Sequence, residues 1–420
     1  MDRQSRIIPN HHKTYSMKAQ HRFLHIYCIV GMLILLDSCQ PYKDKNEASS
    51  NDTIPSATTG FKPNPQHVAE VEVKTLSIGS VAPPFNLPDV SGKFYTLNDF
   101  RDAKVLVIIF TCNHCPTAQA YEDRLINFTQ EYKDKGVAVV GIMPNSTMGL
   151  LPEECGYTDL NDSYEEMIIR HRDKKYNFPY LYDGDTQSVA IAYGPVATPH
   201  AYVFDADRKL AYIGRIDNIE KPGKTNAEDL RAAVDAVLAG QPVANPENKT
   251  FGCSVKWGWK DQYNKKVEKD WKEKPVELAK VKEAQIKDIV KNPTQNLRLI
   301  NLWATWCAPC IAEYPDLVEL QRWYGARNFE FVSLSADKPE NSDKALAFLK
   351  KVPSPVKNFL YDGEDNYKLI EAVDPKWNGA LPYTMLVEPG GKIVYSYQGP
   401  VDLLELRRAI VEHPLMGRYY

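Results

Sequence analysis

The sequence is poor in cysteine, in net charge and in long apolar runs. Eight cysteines among 420 residues are too few for a scaffold held together by disulfides. With 51 Lys and Arg against 54 Asp and Glu, the net charge of −3 provides no strong field that would recruit nucleic acid or a strongly acidic substrate. The P-loop, GxGxxG, GxSxG and HExxH motifs are also missing, which argues against the nucleotide-binding, hydrolase and metalloprotease sites that they mark.

The remaining composition is that of an ordinary globular protein. Hydrophobic residues make up 43% of the chain and charged residues 25%, values that exclude a disordered, collagen-like or multi-span membrane protein. At roughly 100–200 residues per domain, the length predicts two domains with appended segments.

The first segment has the features of an export signal. A basic stretch precedes an uncharged run, Ile26–Leu36, which is shorter than the roughly 20 residues that a membrane-spanning helix needs. We therefore predict a signal peptide over 1–38. The residues that end the run resemble the lipobox of bacterial lipoproteins, which implies lipidation of Cys39, although Asp37 is atypical there. An uncleaved anchor or an ordinary secretory signal remains the alternative. Polar residues 39–74 then predict a disordered tether.

An internal duplication organises the rest of the chain. Each copy has an apolar segment of buried-strand length, a CxxC pair, a helical pattern and a second apolar segment. In the first copy Val105–Phe110 precedes Cys112 and Cys115, and in the second Leu297–Trp303 precedes Cys307 and Cys310. Further along, Thr198-Pro199 and Leu381-Pro382 each open a hairpin pattern. The first copy is longer, which fits an insertion near 145–165 that contains Cys155.

Both copies resemble thioredoxin-fold domains. The first, over 75–257, is similar to proteins of the AhpC/TSA (redoxin) superfamily that carry a CNHCP motif and a terminal GCS-x-KW element, here Gly252–Trp257. The second, over 278–420, is similar to TlpA/ResA-like thiol:disulfide oxidoreductases, on WCAPC followed by Glu313-Tyr314-Pro315. The resemblance implies an α/β fold of two tandem thioredoxin-like domains, each with a central mixed sheet flanked by helices. It also implies that Pro199 and Pro382 are cis-prolines beside the cysteines, forming the substrate groove with Thr198 and Leu381.

The segment 258–277 between the domains alternates Lys with acidic residues. This pattern predicts a charged, solvated connecting helix that is interrupted near Pro275. A basic face that docks a partner is the alternative.

The chemistry follows from a CxxC at the start of a helix. The helix N-terminus favours the thiolate and lowers the pKa of the first cysteine, and a second thiol one turn away can resolve the mixed disulfide. We therefore expect Cys112 and Cys307 to attack, and Cys115 and Cys310 to resolve. No metal is expected, because nearly two hundred residues separate the pairs, whereas a four-cysteine zinc site has roughly 15–20 between them.

Two further residues are expected to tune this chemistry. His114 occupies the place of the histidine in the CxHC of disulfide-introducing oxidoreductases, which implies a stabilised thiolate and a more oxidising domain 1. An exposed histidine of little influence is the alternative. In domain 2, Asn301 replaces the buried Asp of typical thioredoxins. Glu313 matches an acid of the TlpA/ResA-like family and could accept the proton of the resolving thiol, or it could be a surface acid that caps the helix.

Other functions and roles remain open. A peroxidase reading of domain 1 needs Thr or Ser three residues before Cys115, and Cys112 stands there. Cys155 and Cys253 could pair in a structural disulfide, serve a redox role or be inert.

The sequence thus predicts an exported, membrane-anchored lipoprotein of the periplasm or cell envelope that exchanges disulfides with envelope proteins, including apocytochromes c, by analogy. It would also meet an unidentified redox partner, bind no nucleic acid and need no cofactor beyond its cysteine pairs. A thiol-dependent peroxidase in domain 1, or peptide-binding modules without catalysis, are the alternatives.

Overall fold

The computed structural model describes residues 60–221, 223 and 226–418. The predicted signal peptide, Cys39 and the first part of the tether lie outside these residues. No helix in the described part of the chain is long and apolar enough to cross a membrane.

The prediction of a disordered tether up to residue 74 is wrong for residues 60–74. Phe61 packs edge-on against Tyr164, with ring centroids 4.9 Å apart. The backbone N–H of Gln66 donates to the backbone carbonyl of Asp185 at 2.8 Å. A single aromatic side chain thus anchors a polar segment that has no apolar period of its own.

Domain 1 is a five-stranded mixed sheet with helices on its faces. Its order is β5-β4-β3-β6-β7, with β3 parallel to β4 and antiparallel to β6. All six residues of β3 are buried, as expected for a central strand covered on both faces. The elements are β1 (Asn86–Pro88), β2 (Phe94–Thr96), β3 (Val105–Phe110), α1 (Pro116–Tyr132), β4 (Val137–Met143), α2 (Tyr164–Lys174), β5 (Tyr180–Tyr182), α3 (Ser188–Tyr193), β6 (His200–Phe204), β7 (Leu210–Gly214) and α4 (Glu228–Leu238).

The linker contains helix α5 (Asp261–Lys272). Three of its lysines pair with acids one turn away within the segment, so a purely basic face is not formed: Lys265 with Asp261, Lys269 with Glu273, and Lys272 with Glu268. The helix is also less solvated than predicted. Trp271 packs on the core of domain 2 and donates from Nε1 to the Pro353 carbonyl at 3.2 Å.

Domain 2 repeats the same plan with one added strand. Its sheet has the order β13-β12-β9-β10-β11-β8, in which β9, β10, β11, β12 and β13 correspond to β3 to β7 of domain 1. The elements are β8 (Ala279–Val281), α6 (Glu283–Lys291), β9 (Leu297–Trp303), α7 (Ala308–Tyr324), β10 (Phe329–Ser335), α8 (Ser342–Lys351), β11 (Lys357–Tyr361), α9 (Asn366–Val373), β12 (Tyr383–Val387), β13 (Ile393–Gln398) and α10 (Leu403–Val411). The predicted fold class, two thioredoxin-like α/β domains, is confirmed.

The predicted insertion near 145–165 joins the two domains. It contains two short 3-10 helices, Thr147–Gly149 and Pro152–Cys155. Cys155 is buried in the core of domain 2 and not in that of domain 1. The Tyr324 hydroxyl at the end of α7 donates to the Thr158 carbonyl at 2.8 Å, and Arg407 of α10 pairs with Glu166 at 2.9 Å. The insertion is therefore a docking element for domain 2.

Candidate active site

In domain 1 the helix begins after the second cysteine. Cys115 is the N-cap of α1, and Pro116 is its first residue. The expectation that Cys112 begins the helix is therefore wrong. Proline fits the first helical position, because its missing N–H would have no partner there, and the backbone N–H groups of Asn113 and His114 instead both donate to Asp162 Oδ1 at 2.9 Å.

In domain 2 the helix begins after the first cysteine, as predicted. Cys307 is the N-cap of α7, and the backbone N–H of Cys310 donates to its sulfur at 3.3 Å. The two cysteines form a disulfide. The preceding side chain, Trp306, is 69% exposed, so it marks the surface above the pair.

Each domain has a cis X-Pro bond at the proline that the family resemblance implied. Thr198-Pro199 and Leu381-Pro382 are both cis. In domain 1, Thr198 touches both thiols: its Oγ1 lies 3.1 Å from Cys112 Sγ and its carbonyl oxygen 3.1 Å from Cys115 Sγ. In domain 2, Tyr383 pairs with Leu302 on β9, so Pro382 is next to the end of the strand that leads to Cys307.

His114 is buried and ion-paired. It is 1% exposed, and its Nδ1 lies 2.5 Å from Asp162 Oδ2, so the alternative of an exposed histidine is wrong. Burial alone would lower the pKa of His114, but the charge and hydrogen bond of Asp162 raise it overall. Its Nε2 has no hydrogen-bond partner within the described ranges.

Cys112, His114 and Asp162 are also of the types and spacing that can hold a metal ion, with one ligand atom from each within 4.8 Å of the others. The Asp162 oxygens, however, already accept hydrogen bonds from two backbone N–H groups, from His114 and from the Asn145 amide at 2.7 Å. A metal would have to displace these donors, so the arrangement fits an ion pair better than a metal centre.

The surroundings of the three thiols at the domain 1 site lower the pKa of Cys115 and raise those of Cys112 and Cys253. Burial raises the pKa of Cys115, but hydrogen bonds from the thiols of Cys112 and Cys253 and the charge of His114 together bring it well below its usual value. Burial, followed by the hydrogen bond to Cys115, raises the pKa of Cys112. The helix-start argument made for Cys112 thus applies to Cys115.

The remaining two cysteines lie in different places. Cys253 belongs to the domain 1 site, where its backbone N–H is 3.3 Å from Cys115 Sγ. Cys155 is free and lies in the core of domain 2, where burial raises the pKa of its thiol. The structural disulfide between them is therefore not formed in this structure.

Glu313 is also buried. It accepts from Asn301 Nδ2 at 3.1 Å and from the backbone N–H of Val401 at 3.0 Å, so the alternative of a surface helix cap is wrong. Burial raises its pKa to about 7. Asn301 also donates to Thr384 Oγ1 at 2.9 Å, which fixes the amide between β12 and α7.

Comparison with known proteins identifies both halves of the chain. The AhpC/TSA family matches residues 78–213, and the Redoxin family matches residues 283–409. Over 139 residues the chain is 30% identical to the thiol:disulfide interchange protein DsbE of Allochromatium vinosum, a match that covers 31% of this chain and 70% of that protein. The chain belongs to the thiol:disulfide interchange proteins.

Other members of this thioredoxin-like oxidoreductase family match over shorter stretches. The thiol-disulfide oxidoreductase ResA of Oceanobacillus iheyensis is 32% identical over 107 residues, which are 25% of this chain and 50% of that protein. The chain thus spans about half the length of several curated relatives that it matches. A crystal structure of a hypothetical protein from Sinorhizobium meliloti is 35% identical, covers 45% of this chain and 98% of that one, and has a TM-score of 0.39.

Sequence reasoning missed the polar residues that support this oxidoreductase site. Asp162 and Asn145 lie in the insertion, and Tyr180 donates from its hydroxyl to Asn113 Oδ1 at 3.2 Å. The extra length of the first copy was the available signal. It located the insertion, but it did not show that residues of the insertion contact the CxxC segment.

Proposed function

We propose that the chain is an exported thiol:disulfide oxidoreductase with two independent CxxC sites that exchange disulfides with cysteines of envelope proteins. The observation that supports this most directly is the placement of each pair at the start of a helix and next to a cis X-Pro bond. In domain 1 both sulfurs contact the residue before that proline.

In domain 2 we expect Cys307 to attack the substrate disulfide and Cys310 to resolve the mixed disulfide. Cys307 lies at the N-terminus of α7, where unpaired N–H groups favour its thiolate. It would attack a substrate disulfide, and Cys310 would then attack Cys307 and release the reduced substrate. Glu313, with its raised pKa, would take the proton of Cys310.

In domain 1 the helix start and the thiol pKa values support Cys115 as the first thiolate, with Cys112 as its partner. The buried imidazolium of His114 stabilises that thiolate, and a stabilised reduced form makes a more oxidising couple. We therefore propose that domain 1 is the stronger oxidant and domain 2 the better electron donor.

The cellular context is part of the proposal. The N-terminal pattern supports export and lipidation at Cys39, which would place both domains in the periplasm, tethered to a membrane by the residues that follow. Labelling with a fatty acid in cells should modify the parent chain and not Cys39→Ala. The substrates would be envelope proteins with reactive cysteines, including apocytochromes c, and no cofactor beyond the cysteines is proposed.

Insulin reduction by the full chain tests the activity. The pair variants Cys112→Ser/Cys115→Ser and Cys307→Ser/Cys310→Ser should each retain part of the rate, and the variant with all four changes should have none. No turnover by the parent chain would reject the proposal in favour of binding modules. A Cys310→Ser chain should in addition trap mixed disulfides that identify the partners.

A peroxidase in domain 1 is the second candidate, favoured by the AhpC/TSA match over 78–213 and by the thiolate at Cys115. Cys112 stands where the peroxide-orienting hydroxyl would be needed, and this speaks for dithiol exchange. Thiol-dependent consumption of hydrogen peroxide that is lost in Cys115→Ser would support the peroxidase.

A further inference from the structure

The segment Gly252–Trp257 returns to the domain 1 site and brings a third sulfur to it. Thr198 and Cys253 form an antiparallel bridge, with backbone hydrogen bonds of 2.8 and 3.2 Å in the two directions. A Cβ on Gly252 would lie 2.0 Å from the Thr198 carbonyl oxygen, and its φ is +140°. Only glycine allows this approach, so the backbone holds Cys253 against the residue before the cis-proline.

The three thiols form one connected cluster with Cys115 at its centre. Cys115 accepts the backbone N–H of Cys253 at 3.3 Å. Thr198 joins it to Cys112, since the Thr198 carbonyl oxygen lies 3.1 Å from Cys115 Sγ and its Oγ1 lies 3.1 Å from Cys112 Sγ. All three are free thiols in the structure. The central sulfur can therefore bond to either neighbour.

Only one of the three is accessible. Cys112 is 2% exposed and Cys115 is fully buried, whereas Cys253 is half-buried. Thiol–disulfide exchange requires sulfur to meet sulfur, so access decides which thiol a protein substrate encounters.

We propose that Cys253 is a third redox cysteine of domain 1: it is the thiol that exchanges with the protein substrate, and it forms a disulfide with Cys115 during turnover. The inference rests on the proposed function of domain 1 and adds to it the residue that receives the substrate.

The exchange is balanced in sulfur bonds and electrons. The Cys253 thiol passes its proton to the Cys115 thiolate, and the Cys253 thiolate so formed attacks the substrate disulfide. One substrate sulfur leaves as a thiolate and takes that proton from Cys115. Cys115, deprotonated again, attacks Cys253 Sγ and expels the second substrate sulfur. Two electrons have then passed from the two cysteines to the substrate. The proton of Cys253 ends on one substrate sulfur, and the other substrate sulfur takes its proton from solvent.

The Cys115–Cys253 disulfide then has two outcomes. Cys112 can attack Cys115 Sγ while its proton passes to the departing Cys253 sulfur, which buries the disulfide as Cys112–Cys115 and restores the Cys253 thiol. Alternatively, a substrate dithiol can attack Cys253 Sγ and run the sequence backwards. Cys115 is the better leaving group of that disulfide, because a thiolate of low pKa leaves faster, so the attack is directed to the accessible sulfur.

The test uses the full chain in a Cys307→Ser/Cys310→Ser background, with glutathione disulfide as the probe and peptide mapping by mass spectrometry. With Cys115→Ser added, the glutathione adduct should remain on Cys253, and an adduct on Cys112 would overturn the proposal. With Cys112→Ser added instead, a Cys115–Cys253 disulfide should form with release of both glutathione thiols. A stable adduct on Cys115 would contradict it.

Rates provide the second measurement. Cys253→Ser should slow glutathione release at least about tenfold, and an unchanged rate would overturn the proposal. Cys155→Ser is the matched control, because it makes the same change at a cysteine buried in the other domain, and it should not alter the rate. If the background chain fails to reduce insulin although the Cys115–Cys253 disulfide forms, the proposed function of domain 1 fails while the role of Cys253 in exchange stands.

Discussion

At the scale of single residues, the position of one proline separates the two sites. Pro116 follows the second cysteine and is the first residue of α1, whereas Pro309 lies between its cysteines in the first turn of α7. Because the helix N-terminus favours a thiolate, this shift moves the favoured sulfur from the first cysteine of domain 2 to the second cysteine of domain 1. The two similar motifs thus place different cysteines at the helix N-terminus: the second one in domain 1 and the first one in domain 2.

His114→Phe should make the domain 1 couple more reducing. Loss of the buried cation raises the pKa of Cys115 and removes stabilisation of the reduced form, so the potential should fall by about 30 mV or more, which corresponds to a tenfold change in the equilibrium constant. Equilibration with glutathione in the Cys307→Ser/Cys310→Ser background measures it. His67→Phe, which changes a half-exposed histidine at the linker, is the control. A potential that rises would contradict the assigned role of His114.

Glu313→Gln should weaken the pH dependence of both the stability of the chain and the rate of insulin reduction. The pKa of the folded carboxyl is raised from 4.5 to about 7, so the protonated form is favoured by folding. The stabilisation is complete below about pH 4.5 and is lost as the pH rises to about 7. Denaturant unfolding at several pH values should show this loss in the parent chain and less of it in the variant. The rate of insulin reduction by domain 2 should rise as the pH passes about 7, and this rise should be smaller in Glu313→Gln.

The control for this prediction is Glu340→Gln, which changes an exposed carboxyl. It should leave both pH profiles unchanged. A Glu313→Gln profile identical to that of the parent chain would show that another group is responsible.

At the scale of elements, the segment Gly252–Trp257 acts as a short strand that is added to the site from a distance in sequence. It is pinned at both ends, since Cys253 bridges Thr198 and the Lys256 N–H donates to Asn145 Oδ1 at 2.8 Å. A donor to Cys115 therefore comes from a part of the chain far from the CxxC.

Gly252→Ala should disrupt this element. The added Cβ collides with the Thr198 carbonyl oxygen, so the bridge must open and Cys115 loses the Cys253 N–H. We expect a loss of stability of more than about 1 kcal/mol and a higher pKa of the Cys115 thiol, measured by the ultraviolet absorbance of the thiolate. At Gly240, with φ +67° and open space around its Cβ position, the same change should cost only about 1 kcal/mol and leave that pKa unchanged. Equal effects at both glycines would reject the role of the bridge.

At the scale of the whole molecule, the insertion links the two domains through buried contacts, so we expect them to unfold as one unit. Cys155 enters the core of domain 2, Tyr324 donates to Thr158, and Arg407 and Glu166 form a buried pair between the domains. Thr158 also donates to the Asn113 carbonyl at 3.3 Å, so the docking element contacts the domain 1 site directly.

Arg407→Met should destabilise both domains together. It leaves Glu166 buried without its partner, and breaking a buried ion pair from one side typically costs about 3–5 kcal/mol. Guanidinium unfolding followed by tryptophan fluorescence should show one transition at a lower midpoint. Arg172→Met, at an exposed pair with Asp173, should cost no more than about 1 kcal/mol. A loss confined to one domain would contradict the single folding unit.

The sequence predicted the parts that depend on local pattern. The duplicated strand and CxxC follow from apolar runs and motifs of a few residues. Both cis-prolines and the fold class follow from the resemblance to thioredoxin-fold domains that those motifs carry. The helix start at Pro116 is a local signal that was overlooked, because proline favours the first helical position. The prediction failed where distant segments meet. The burial of His114 by Asp162 and the position of Cys253 beside Thr198 each depend on a tertiary contact across tens of residues, and such contacts leave no period in the sequence.

Helix α7 also separates the disulfide of domain 2 from the contact with domain 1. Its disulfide is at one end and Tyr324, which shares Thr158 with the domain 1 loop, is at the other. Seventeen helical residues span about 25 Å, far beyond the reach of any sulfur–sulfur bond. If both pairs exchange disulfides as proposed, we expect electron transfer between them to require a diffusing dithiol or a second copy of the chain.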